Sequence, residues 1–200
     1  MKSNYIILFV FLICSFSFSQ EKDDLFNMIE QEEKKIELLP EKMIFTQSLL
    51  WGKKGLFRKT GISPLNLENR QKELKLRKTM LTTHQAIGYL TLASMIAQGI
   101  IGGKLYNGQD DLYETHKTMG KIVNIGYFTG AGLSLFSPPP LINKKVKGFN
   151  SIKAHKILAT VHFSAMVATN YYKDKNKSNH KAAAYTAFAS YATAVLVIKF

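Results

Sequence analysis

The chain holds five histidines, and four of them stand in one setting: THQAIG at Thr83–Gly88, THKTMG at Thr115–Gly120, AHKILA at Ala154–Ala159 and NHKAAA at Asn179–Ala184. Each opens an apolar run. Each is followed four residues on by a small residue: Gly88 after His84, Gly120 after His116, Ala159 after His155 and Ala184 after His180. On a helix, residue i+4 shares the face of residue i. Two imidazoles facing each other across a helical bundle can ligate one haem iron from above and below. A bulky side chain at i+4 would strike a flat ring lying there, whereas a small one leaves a slot. The spacing suits haem better than a compact ion such as zinc. One histidine at a membrane boundary is ordinarily just an interfacial polar residue; the repetition with a small i+4 partner is what points to ligation.

His162 is the fifth histidine, seven residues after His155 and on the same helix face. At about 1.5 Å of rise per residue it lies roughly 10 Å deeper. It is an alternative helix-three ligand, or a polar residue hydrogen-bonded to a neighbouring helix. Gln98 and Tyr127 are interior polar candidates, with ordinary packing as the plainer reading. Lys117, Lys156 and Lys181 adjoin the candidate ligands and suit either haem propionates or anchoring at the headgroup level.

Cysteine usage narrows the chemistry. Cys14 is the sole cysteine, so a disulfide within the chain and a C-x-x-C-H attachment for c-type haem are both excluded. The apolar blocks carry no acidic cluster, which argues against hydrolysis. Any haem would be b-type and non-covalent.

Four apolar blocks must position the histidines, at about 80–103, 117–137, 155–172 and 180–198. A bilayer core needs about 20 helical residues, with 17 to 25 tolerated. The first two blocks fit comfortably and the last two approach the lower limit. Glycine and alanine recur within them, including Gly99, Gly102, Gly126 and Ala187, and small residues allow close helix contact in lipid. The connecting segments are short, which makes neighbouring helices antiparallel. The expected fold is all-α: an integral membrane up-down four-helix bundle over 80–200. Helices one and three would start at one face, so His84 pairs with His155. Helices two and four would start at the other, so His116 pairs with His180.

Ahead of the bundle, MKSNYIILFVFLICSFSFSQ reads as a signal peptide over 1–19. Residues 20–79 form an exported amphipathic helical region. Eight acidic residues fall between Glu21 and Glu41, and Trp51, Leu56 and Phe57 follow among Lys53, Lys54, Arg58 and Lys59. That mixture suits a membrane-interface segment or a surface helix packed on the rest of the protein. A helix over the basic stretch before Leu81 is expected to run straight into the first span. The formal net charge is +13. Basic segments flanking apolar blocks point to anionic lipid headgroups rather than to nucleic acid. The signal peptide places the N-terminal region on the periplasmic side of a bacterial inner membrane, while the lysines of the 138–154 loop favour the opposite orientation under the positive-inside rule.

The four histidine motifs, with their alternate-helix pairing, resemble the cytochrome b561 family, particularly its bacterial four-helix members. The resemblance runs from about Thr79 to Phe200 and leaves the N-terminal region unexplained. It implies two non-covalent b-type haems, one held by His84 and His155 and one by His116 and His180. It also implies transmembrane electron transfer as an electron-transport cytochrome or oxidoreductase component. The electron donor would be a quinol or an exported reductant, with the acceptor undefined and a membrane partner subunit or dimer compatible. The chain departs from the family in its second helix-three histidine, its short inner loops and its lack of a recognisable ascorbate-binding motif. Two other classes stay open. One is a non-catalytic membrane subunit or scaffold whose histidines are structural and whose basic N-terminal region docks a partner or lipid. The other is a histidine-only metal transport or reductase site.

Overall fold

A computed structural model describes residues 37–142 and 150–198. The segment assigned to a signal peptide, and most of the acidic stretch after it, lie outside the described residues. Glu37–Ile198 forms one compact unit. The described residues are all-helical, with no strand: α1 (Phe45–Trp51), α2 (Leu56–Lys59), α3 (Leu67–Tyr106), a 3-10 turn at Asp110–Leu112, α4 (Tyr113–Leu135), α5 (Ser151–Tyr172) and α6 (Lys177–Val197).

Three of the long helices begin at an asparagine whose side-chain oxygen accepts from a backbone N–H three residues on: Asn66 from Asn69, Asn150 from Lys153 and Asn176 from Asn179. That bond satisfies one of the first-turn donors left without an intrahelical partner. Starts at 67, 151 and 177 put the helices several residues upstream of the apolar blocks. The caps are polar, so hydropathy alone does not reveal them. At the other end of α3, Asn107 and Gly108 turn the chain, Gly108 at a φ of +96° that side-chain-bearing residues rarely adopt.

α3 pairs with α4, and α5 with α6, as two antiparallel hairpins, with α3 also against α6. Side chains join the hairpins across the remaining seam. Asn170 donates to Asn124 at 2.7 Å, Phe128 meets Phe163 edge-on, and Tyr127 reaches His162. The core is small: Met95, Val123, Tyr127, Ala165, Met166 and Ala187, with Phe188 and Tyr191 packed against it. Much of the remaining apolar surface faces outward, Ile125 being 69% exposed and Leu196 77%.

α3 has 40 residues, and at about 1.5 Å per residue it is about 60 Å long, roughly twice a bilayer core. It runs without a break through position 79, as its sequence predicts. It alone among the described helices is both long and apolar enough to cross a membrane. α4, α5 and α6 have 23, 22 and 21 residues. Terminal lysines shorten their apolar stretches, and alanine, glycine, threonine and tyrosine dilute them.

The polar first turns of α3, outside its apolar stretch, anchor the preceding segment. Arg70 and Glu73 are almost fully buried. Glu73 bonds Arg58, Arg70 and Ser63. Arg70 also donates to the carbonyls of Leu38 at 2.7 Å and Pro139 at 3.1 Å, and Arg77 to that of Pro138 at 2.7 Å. Burial acts to raise the Glu73 carboxyl, but the bonds from Arg58, Ser63 and Arg70 outweigh it and hold the group below its ordinary value. Trp51 Nε1 donates to the Phe136 carbonyl at 3.0 Å and the ring is buried. This tryptophan is therefore packed on the protein. The preceding region is only partly helical, α1 and α2 being short. On α1, Phe45 and Leu49 point outward, opposite Gln47 and Trp51.

Candidate functional site

The four repeated histidines sit in two layers near opposite ends of the hairpins. In one layer, His84 Nδ1 lies 2.8 Å from the Gly130 carbonyl of α4, and His155 Nδ1 lies 3.0 Å from the Ala194 carbonyl of α6. In the other, His180 Nδ1 lies 2.9 Å from the Thr169 carbonyl of α5. A carbonyl only accepts, so each neutral ring donates from Nδ1 and keeps its lone pair on Nε2. Metal-ligating histidines are commonly oriented by such a bond, which fixes the tautomer and the ring plane.

His116 differs. Its Nε2 lies 3.3 Å from Gln98 Nε2. Its Nδ1 is buried without a hydrogen-bond partner, as is Gln98 Oε1. Its ring approaches the α3 backbone so closely that a Cβ on Gly102 would stand 2.8 Å from Cε1.

A common register underlies this arrangement. Each helix places its two layer-forming residues fourteen positions apart: 84 and 98 on α3, 116 and 130 on α4, 155 and 169 on α5, 180 and 194 on α6. Fourteen residues are two heptads, a period that keeps both on one face of a helix packed at a shallow crossing angle. At about 1.5 Å of rise each, the layers are about 21 Å apart.

Within the His116 layer the pairing expected from sequence is direct, the His116 and His180 ring centroids lying 6.2 Å apart and nearly perpendicular, at 83°. His84 and His155 are brought to a common level from different hairpins by their carbonyl partners near the ends of α4 and α6. His162 is one heptad from His155 and midway between the layers. Its Nδ1 lies 2.6 Å from the Tyr127 hydroxyl, and its ring meets Tyr191 at 5.1 Å.

The small residues at i+4 face into the bundle. Tyr191 donates to the Gly88 carbonyl at 3.2 Å, and a Cβ on Gly88 would stand 3.6 Å from that hydroxyl. A Cβ on Gly120 would stand 3.2 Å from Gln98 Nε2. Tyr191 and Gln98 thus border the ring space expected beside Gly88 and Gly120. Ala159 and Ala184 are half-buried on α5 and α6. Among the lysines beside the candidate ligands, Lys117 is ion-paired with Glu114 at 3.5 Å, and the Lys181 ammonium lies 3.7 Å from the Tyr106 ring centroid.

Each layer offers two imidazoles. Among the described residues, no group of three or more His, Cys, Asp and Glu converges to hold a bare metal ion. A zinc ion takes three or four protein ligands. Two opposed imidazoles instead match a metal whose remaining ligands arrive with a macrocycle. The Nε2 atoms left by the Nδ1 bonds of His84, His155 and His180 fit such a group, whereas His116 Nε2 faces Gln98 and its Nδ1 is the unpartnered atom.

The carbonyl partners, Gln98 as the one side-chain partner, and Tyr191 are not evident from the histidine motifs. The fourteen-residue spacing carries a signal for them: counting two heptads from each histidine leads to Gln98, Gly130, Thr169 and Ala194. No family model, curated protein or solved structure matches this chain.

Proposed function

We propose that residues 80–200 form an integral membrane four-helix bundle that carries electrons across the bilayer through two b-type haems, as the resemblance to the cytochrome b561 family implies. His84 and His155 would hold one, and His116 and His180 the other. The observation that carries this reading is the set of Nδ1-to-carbonyl bonds at His84, His155 and His180, which leaves three Nε2 lone pairs free in two layers about 21 Å apart. Support for spanning comes from the apolar length of α3 and from the outward-facing aliphatic side chains of all four long helices. Such a haem, held by two of these histidines, would supply one-electron ferric/ferrous chemistry. The chain's own contribution is to fix the imidazole tautomers, keep the i+4 positions small and set the spacing of the two layers. His162, whose Nδ1 is likewise bonded, to the Tyr127 hydroxyl, lies one heptad from His155 and between the two layers, so His155 is the proposed helix-three ligand and His162 the alternative.

Full-chain protein purified after haem-sufficient expression should show a reducible b-type spectrum, absent from a His84→Ala, His116→Ala double variant. One observation favours the rival scaffold reading: the same carbonyl bonds already give His84, His155 and His180 a helix-joining role. A colourless protein that stays folded would overturn the cytochrome reading.

A further inference from the structure

Three of the four proposed ligands are held by a backbone carbonyl through Nδ1, but His116 is held by a side chain through Nε2, the atom an iron would need. The Gln98 amide nitrogen lies 3.3 Å from that atom, and it lies 3.2 Å from where a Cβ on Gly120 would be. His116 and Gly120 are four residues apart on α4, so one amide occupies both the ligand position and the ring space beside it. The orientation of the amide does not alter this: its NH2 would donate to the Nε2 lone pair, and a flipped oxygen would accept from an Nε2 proton. In the other layer Tyr191 also borders the space beside Gly88, but its hydroxyl bonds the Gly88 carbonyl, and His84 is bonded through Nδ1 to Gly130 rather than through Nε2 to a side chain.

We propose that Gln98 is a positioning residue that makes the layers unequal, so that the His84/His155 layer takes haem first. The His116/His180 layer takes haem only when the Gln98 amide withdraws from His116. This rests on the two-haem reading. The side chain can move at small cost, because its Oε1 has no partner to lose. Its withdrawal frees His116 Nε2 while Gly120 supplies room for the ring.

The test is haem b titration of full-chain apoprotein in detergent, followed by absorbance. Two phases are expected: a tighter one lost in H84A and a weaker one lost in H116A. Gln98→Leu keeps the bulk and removes the hydrogen bond, and should tighten the weaker phase roughly three- to tenfold, the value of one net hydrogen bond expressed as affinity. Q98A removes the bulk as well and should tighten it at least as much, which decides the matter if the leucine variant fails to fold. Two phases of equal affinity overturn the proposal. So does a weaker phase that is unchanged or loosened in the variant that folds, or one lost in H84A. No haem uptake by the wild-type chain overturns the two-haem reading itself, an outcome distinct from all of these.

Discussion

At the scale of single residues, contacts within the bundle distinguish the four proposed ligands from the remaining histidine. His162 is the best example, since sequence position alone leaves it level with His155. Its 2.6 Å contact with Tyr127 gives it a partner within the protein. Tyr127→Phe would leave a buried ring nitrogen without that partner, at a cost of about 1–3 kcal/mol. A lower unfolding midpoint with an unchanged haem spectrum is expected, and a changed spectrum would put His162 among the ligands. A second residue-scale consequence concerns Gly126, where a Cβ would stand 2.6 Å from Oγ1 of the buried Thr91. Gly126→Ala should destabilise the α3–α4 hairpin by about 1–3 kcal/mol through overpacking. Adding T91A should recover part of that loss in thermal unfolding.

At the scale of elements, the helices were largely legible and their attachments were not. Apolar blocks and short connectors predict four long antiparallel helices, and those are found at 67–106, 113–135, 151–172 and 177–197. The polar first turns of α3 were harder to read. Arg70, Glu73 and Arg77 look like a solvated basic face in sequence, yet they are bound into contacts with residues 38–63 and with the prolines after α4. The arginines' partners are mostly backbone carbonyls distant in sequence, which leave no mark in side-chain patterning. The pairing of His116 with His180 was legible because helix direction alternates. The role of Gln98 was not evident from the histidine motifs themselves, and only the two-heptad spacing from His84 points to it.

The Arg58–Glu73–Arg70 cluster also makes stability depend on pH. The Glu73 carboxyl sits below its ordinary value of 4.5 in the folded chain. Its contribution is therefore complete above that value and disappears as pH falls through the lowered one. Unfolding midpoints measured from pH 6 downward should decline more steeply in the wild type than in Glu73→Gln. Parallel curves would show that Glu73 titrates as it does when unfolded. Removing one partner outright is a harsher change: Arg70→Ala leaves Glu73 short of a buried partner and should cost about 3–5 kcal/mol.

At the scale of the whole molecule, the features combine in one design. Two hairpins meet along a seam of side chains, and each of four helices presents one layer histidine and, fourteen residues away, the group that holds a histidine of the other layer. A soluble bundle has no need for so little buried core and so much outward aliphatic surface. The proposed membrane-spanning bundle would accommodate that surface, and its ionisable interior groups would then call for a functional reason. In the proposed reading, two haem-bearing layers near opposite faces would supply one. The most direct measurement is the haem-to-protein ratio of the wild-type chain, purified in detergent after expression with ample haem. The expected result is two b-type haems per chain, both reducible, falling to one in His84→Ala and to one in His116→Ala. A folded chain carrying no haem would contradict the central claim.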